Sequence, residues 1–367
     1  VTPGRERLDA LTGLRFLAAI GVVAFHYWHD QLNFMGRLPF VVAGFSGVSL
    51  FFVLSGFVLG YNYLDRAKTI RPLAFYWARF ARIYPVYILG AVVAGAYIWR
   101  HEGGLVAVPQ FFFSLPLVQA WMGKRALDGN GVGWSLSVEA LFYAIFPVIA
   151  LRFAKLDSRG AMRAVLWSSA VALVPQLVAC VVAVPHTGLN TNDDLGSLFK
   201  FFPLFHVPEF TAGVALARYQ SLRRKEEPVW RSDVLFLAGI GAVWLLAATP
   251  WKLPWPLMFT GGLVLPFCLV IHALSSRLGF FVRVLGSKPM ILLGESSYAL
   301  YILHVPIFWY FSRYLPNPRY VALLAVVLSV VVFLFFERPM RNWLMRLQSK
   351  VTGPAAQPAA VAEPQPI

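Results

Sequence analysis

The chain has 367 residues, 58% hydrophobic and 13% charged, with a formal net charge of +15 and a mean hydropathy of +0.64. The apolar share is above, and the charged share below, that of an ordinary soluble domain, which excludes a soluble class and leaves a polytopic membrane protein. In a soluble chain the positive charge would point to nucleic acid. Here it is first weighed against loop topology, because cytoplasmic loops collect Lys and Arg.

The first apolar stretch, residues 11–28, carries Arg15 and His26. Eleven residues at 3.6 per turn return to almost the same azimuth after about 16 Å of rise, so both lie along one stripe of a helix. An arginine near a helix centre costs roughly 2.5 to 3.5 kcal/mol to insert, so the stripe is expected to turn inward to a polar pocket. Arg5 and Arg7 precede it, but no small-residue cleavage site follows, and the segment reads as a retained first helix rather than a signal peptide.

Further stretches of spanning length fall at 40–63, 83–99, 134–152, 163–184, 199–218, 234–250, 257–275, 291–313 and 320–340. The sequence thus predicts an all-α polytopic membrane protein of about ten transmembrane helices. A short apolar segment at 105–121 contains Pro109 and Pro116 and reads as an additional re-entrant or interfacial element. With the N-terminus inside, the inner loops hold most of the 32 Lys and Arg, in the runs Arg66 to Arg82, Arg152 to Arg163, Arg218 to Arg231, Arg277 to Lys288 and Arg338 to Lys350. The bias places both termini in the cytoplasm and removes the need for nucleic acid. Residues 1–350 are expected to form one membrane domain, and the Pro- and Ala-rich 351–367 a disordered tail. Cys180 and Cys268 read as small core residues.

Within the second stretch, Gly56 and Gly60 have the spacing that lets helices approach closely. Before the third, Arg79 and Arg82 share a face if the segment is helical, making a fork for phosphate oxygens; a juxtamembrane basic pair is also what topology alone predicts. At the start of the fourth, Ser135 is a plausible N-cap, and Glu139 is either a first-turn carboxylate or a site carboxylate entering an apolar helix. In the ninth, Ser297, Tyr298, Tyr301 and His304 form a polar stripe that reads equally as interhelical glue or site lining. Trp28, Trp99, Trp121, Trp134, Trp251 and Trp255 fit an interfacial belt. His206 is a weak site candidate. No zinc-type spacing, nucleotide loop or serine elbow is present, so no metal is expected. By depth, Arg15, Arg79 and Arg82 fall toward the cytoplasm, and His26 with Glu139 toward the outside.

Arg15 with His26, Arg79 with Arg82, the run Phe51 to Gly56, Trp134 to Glu139, Ser297 to His304 and the closing Phe336, Glu337, Arg338 and Pro339 resemble acyltransferase family 3, the bacterial integral-membrane O-acyltransferases. The resemblance runs from about Leu8 to Pro339. It implies transfer of an acyl group, acetyl by default, from acyl-CoA to a hydroxyl of a carbohydrate or glycosylated acceptor in the bacterial cytoplasmic membrane, with no permanently bound cofactor. On this reading His26 is the general base, or a covalent acyl carrier, and Arg15, Arg79 and Arg82 bind the CoA phosphates. Glu139 then orients His26 or stabilises its imidazolium. The rival class is a transporter or flippase of a lipid-linked or anionic solute, since intramembrane Arg, His and Glu also mark transport paths.

Overall fold

In a computed structural model, residues 7–28, 38, 41, 43–182, 194–223, 228–248, 261–276 and 278–351 are described. Their regular secondary structure is all helical, with no strand among them. In chain order the helices are α1 (Asp9–Trp28), α2 (Gly47–Tyr63), α3 (Pro72–Glu102), α4 (Gly104–Ser114), α5 (Trp134–Phe153), α6 (Ser158–Val182), α7 (Asp194–Phe201) and α8 (Pro203–Leu222). There follow α9 (Val229–Ala248), α10 (Val264–Leu274), α11 (Phe280–Leu285), α12 (Lys288–Glu295), α13 (Ser297–Phe311), α14 (Pro318–Val332) and α15 (Arg338–Val351). The Pro- and Ala-rich tail from 352 onward lies outside the described residues.

Proline sets several starts, because its fixed φ suits the first turn, where its missing N–H is not needed. α3, α8 and α14 each open this way, at Pro72, Pro203 and Pro318, and the Asn317 side chain accepts a hydrogen bond from the Arg319 amide to cap the last.

The exposed faces are apolar. On α6, Leu166, Trp167, Val171, Val174, Val178 and Val181 all face outward, and only 28% of its apolar window is buried. Such a surface on a chain folded in water would be an aggregation hazard; in a bilayer it meets lipid. Among the described residues, six helical segments are long and apolar enough to cross a membrane, or seven if α12 and α13, bent by 57°, form one broken span.

That count differs from the ten stretches in the sequence, for local reasons. The 257–275 stretch yields only the 11-residue α10 within the described residues. The 199–218 stretch is divided at Pro203 into the eight-residue α7 and α8, and α8 carries His206, Glu209 and Arg218. The 234–250 stretch lies on α9, which starts earlier with Arg231 and Asp233 in its first turns. The 105–121 segment contains the 11-residue α4 followed by a short 3-10 turn, about 16 Å of helix and too little to span.

α2 and α8 pack backbone to backbone. A Cβ on Gly56 would stand 1.9 Å from the Phe210 carbonyl oxygen, and one on Gly213 would stand 1.9 Å from that of Val53. The small-residue spacing in α2 is therefore a packing feature, as its sequence suggests. This contact, with α1 running beside α12 and α13, forms the frame that carries the polar groups.

Candidate active site

The Arg15–His26 stripe is real, and its two ends open into different cavities. α1 is a continuous 20-residue helix; Arg15 is buried and His26 is exposed to a cavity at the other end. α3 is helical through Arg79 and Arg82, so the pair does share a face, and both are buried rather than juxtamembrane and exposed.

The inner cavity, about 50 Å³, is lined by Arg15, Arg82, Glu139, Tyr143, Ser297 and Tyr298, among others. Arg15 Nε and Nη1 make no hydrogen bond although they are buried. Arg79 stands behind this wall, its guanidinium 6.0 Å from the Tyr143 ring and 5.8 Å from that of Phe75. Arg82 lies over the Tyr298 ring at 5.6 Å and is ion-paired to Glu337, whose other oxygen has no partner. Glu337 sits in a one-turn π-helix, Phe333–Glu337, between α14 and α15. Its motif was legible in sequence, but its partner was not. An acidic residue closing an apolar span was the available signal.

Glu139 belongs to this inner cavity. Depth along the sequence groups it with His26; in the structure it faces Arg15 and Arg82, with the Ser55 and Tyr143 hydroxyls beside it. Five residues into α5, its side chain points toward α1 and α3, and it does not line the cavity that holds His26. Ser135 is likewise not a cap. Gly133 holds that position, and the Ser135 hydroxyl reaches the Val132 carbonyl at 3.1 Å and the Tyr301 hydroxyl at 2.8 Å.

The outer cavity is larger, about 480 Å³, and its polar lining includes His26, Ser49, Glu102, Gln110, Lys200 and His206. Trp134 and Trp309 also line it. Trp134, placed in an interfacial belt by the sequence, packs with tilted rings against Phe201 and His206, at 4.9 and 5.5 Å between ring centres. Trp28 is buried and Trp134 half-buried, whereas Trp99 and Trp121 are exposed as a belt requires, and Trp251 and Trp255 lie outside the described residues. His206 proves better placed than its sequence context suggested. Its Nδ1 is 2.9 Å from Glu209 Oε2 and its Nε2 3.0 Å from the Lys200 carbonyl, while Ser49 donates to the other Glu209 oxygen. Burial brings the Lys200 ammonium, in the short α7 outside the spanning helices, down to about 8.

The polar stripe of α13 joins the two cavities. Ser297 and Tyr298 line the inner one, Tyr301 lines both, and His304 Nε2 lies 3.1 Å from His26 Nδ1. Val48 and Phe52 are also common to both linings. Pro306 cannot donate to the Ile302 carbonyl, and the Asn130 side-chain amide does so at 2.8 Å, so the stripe stays helical at that point. Among the described residues no three His, Cys, Asp or Glu gather as a metal site.

A guanidinium-lined inner cavity and an imidazole-bearing outer one share a wall within a bundle of apolar helices, the architecture of a polytopic membrane protein with polar groups gathered in its interior. The family of acyltransferase domains known as acyltransferase family 3 matches residues 8–338, and the chain belongs to it. It is 30% identical over 336 residues to acyltransferase MdmB of Streptomyces mycarofaciens, covering 85% of this chain and 81% of that protein. It is 27% identical over 370 residues to the peptidoglycan O-acetyltransferase OatA of Listeria monocytogenes, and 22% identical over 365 residues to the O-acetyltransferase OatA of Staphylococcus aureus. Those two matches cover 92% and 91% of this chain but only 56% and 57% of the relatives, so the chain spans little more than half the length of either OatA. No solved structure matches it.

Proposed function

We propose that the protein is a membrane O-acyltransferase that moves an acyl group, acetyl by default, from acyl-CoA to a hydroxyl of a carbohydrate or glycosylated acceptor. The observation that carries this reading is the buried Arg15 guanidinium with two nitrogens lacking any hydrogen-bond partner, in a cavity whose wall continues into the one holding His26. A buried cation with unsatisfied donors is costly unless an anion completes it. Phosphate is the anion a planar guanidinium suits best.

Arg15, Arg79 and Arg82 would neutralise CoA phosphates from the cytoplasmic side. An inner cavity of about 50 Å³ admits a phosphate or a length of the pantetheine arm, not a nucleotide, so the adenosine would remain at the cytoplasmic face. The thioester end would pass Tyr301 into the outer cavity, whose 480 Å³ suits one or two sugar rings. Trp134 and Trp309 offer flat faces there, and Glu102, Gln110 and Lys200 offer hydrogen-bonding groups.

In the transfer itself, His26 takes the acceptor hydroxyl proton as the oxygen attacks the thioester carbonyl. The carbon–sulfur bond then breaks, and the same proton goes to the departing thiolate. Glu139, beside Arg15 and Arg82, tempers the charge of the donor site rather than serving His26. The acyltransferase names of the relatives support this class over transport, both OatA names favour O-acetylation, and the peptidoglycan in the Listeria name favours a glycan acceptor. The setting would be the bacterial cytoplasmic membrane with both chain ends inside.

The test is purified protein incubated with radiolabelled acetyl-CoA and glycan acceptors. The wild type should form an alkali-labile acetyl ester, and His26→Ala should bind acetyl-CoA but form none. Ester formation by His26→Ala at the wild-type rate would overturn the base role, and ester formation without acetyl-CoA would overturn the donor.

A further inference from the structure

One partner of His26 is a second histidine, and a single assignment of protons to the two rings fits every hydrogen bond around them. His304 Nδ1 lies 2.7 Å from the Tyr301 carbonyl oxygen. A carbonyl only accepts, so His304 Nδ1 carries its proton, and in the neutral ring Nε2 carries the lone pair. That Nε2 faces His26 Nδ1 at 3.1 Å, and His26 Nδ1 is also 3.0 Å from the Val22 carbonyl. Between two acceptors, His26 Nδ1 must be the protonated nitrogen. The lone pair of His26 is then on Nε2.

The geometry points to His304 as the positioning residue that holds His26 in its Nδ1–H tautomer, filling with a neutral ring the place a carboxylate fills in a hydrolase triad. The inference rests on the base role proposed for His26. Tautomer choice matters because a base with its proton on the wrong nitrogen cannot accept another there. When Nε2 takes the acceptor proton, the Nδ1–H bond to His304 becomes charge-assisted and strengthens. The proton has no onward path through His304, whose Nδ1 ends on a backbone carbonyl. It therefore stays on the pair until the thiolate takes it from His26 Nε2, and protons balance over the reaction.

The setting is rigid where this role needs it. His304 is fully buried, and the Tyr27 hydroxyl, next in sequence to His26, donates to the His304 carbonyl at 2.7 Å. The Tyr27 ring also packs on Phe308 one turn further along α13, with ring centres 4.7 Å apart. α1 and α13 are thereby locked in register at the two imidazoles. Both His304 nitrogens are satisfied, and the acceptor of the two is turned to His26.

The experiment uses the full chain in lipid nanodiscs with 15N-labelled histidine, the His26 signals being identified by their loss in His26→Ala. His304→Leu removes the acceptor at similar volume, and His304→Gln can return an acceptor oxygen near the lost Nε2. The wild type should show His26 as the Nδ1–H tautomer. His304→Leu should show mixed tautomers and a kcat lower by about 100-fold, with the KM for acetyl-CoA within about twofold. His304→Gln should recover most of the tautomer and of kcat. An Nε2–H tautomer in the wild type, or full turnover in His304→Leu beside an inactive His26→Ala, overturns the inference alone. Full turnover in His26→Ala overturns the base reading instead. If His304→Leu does not fold, the wild-type tautomer and the His304→Gln kinetics decide.

Discussion

Arg82 and Glu337, 255 residues apart in sequence, form an ion pair with side chains only 5% and 1% exposed. Breaking such a pair leaves one uncompensated charge, at a cost of about 3 to 5 kcal/mol, whereas replacing both partners with apolar residues of similar volume is often near neutral. Glu337→Gln should therefore lower the thermal midpoint in detergent well below that of an Arg82→Met, Glu337→Leu double variant. The double variant should in turn be stable but weak in donor binding. Equal midpoints for the single and double variants would show that the pair is not coupled.

Glu139 has a different consequence. Because it lies with Arg15 and Arg82 rather than with His26, Glu139→Gln should change the KM for acetyl-CoA several-fold and leave the apparent pKa of the kcat profile in place. A shift of about one unit or more in that apparent pKa, with an unchanged KM, would assign Glu139 to His26.

Lys200 supplies a pH dependence of stability. Its ammonium is lowered by burial from 10.5 to about 8, so between those values the unfolded chain holds a proton that the folded chain has released. Stability from this group therefore rises with pH across that window, and the penalty is fully present below pH 8. Lys200→Met should flatten the slope of stability against pH between about 8 and 10.5 by close to one proton, and raise stability at neutral pH. An unchanged slope would mean that Lys200 is solvated in the folded protein.

The α2–α8 contact is tested by glycine. Gly56→Ala places a Cβ 1.9 Å from the Phe210 carbonyl oxygen, and both groups sit on helices that must separate to admit it. Overpacking of this kind costs about 1 to 3 kcal/mol or more. Gly131→Ala, which meets nothing within 4 Å, is the control and should leave the melting midpoint unchanged. Comparable losses in the two variants would discount the close approach.

Much of this was readable from short-range pattern. The azimuth of Arg15 and His26, the helical face shared by Arg79 and Arg82, and the close-packing glycines all follow from spacing within one helix. What spacing does not report is which helix lies opposite. His26 meets His304 across 278 residues, and Glu139 turns to Arg15 and Arg82, because helix packing, not depth alone, sets a side chain's neighbours. Glu337 was visible as a motif without a role for the same reason. The span count drifted because apolar composition persists across Pro203, where the chain leaves the short α7 and begins a new helix.

Whether the buried arginines receive the donor is decided by calorimetric titration of acetyl-CoA into the purified protein, beside Arg15→Gln. Arg15 is the better choice for substitution because Arg82 is tied to Glu337 and its loss would confound binding with folding. Binding to the wild type should be saturable, and weakened at least about tenfold in a folded Arg15→Gln variant. Wild-type affinity in that variant, or no binding to the folded wild type, would contradict it.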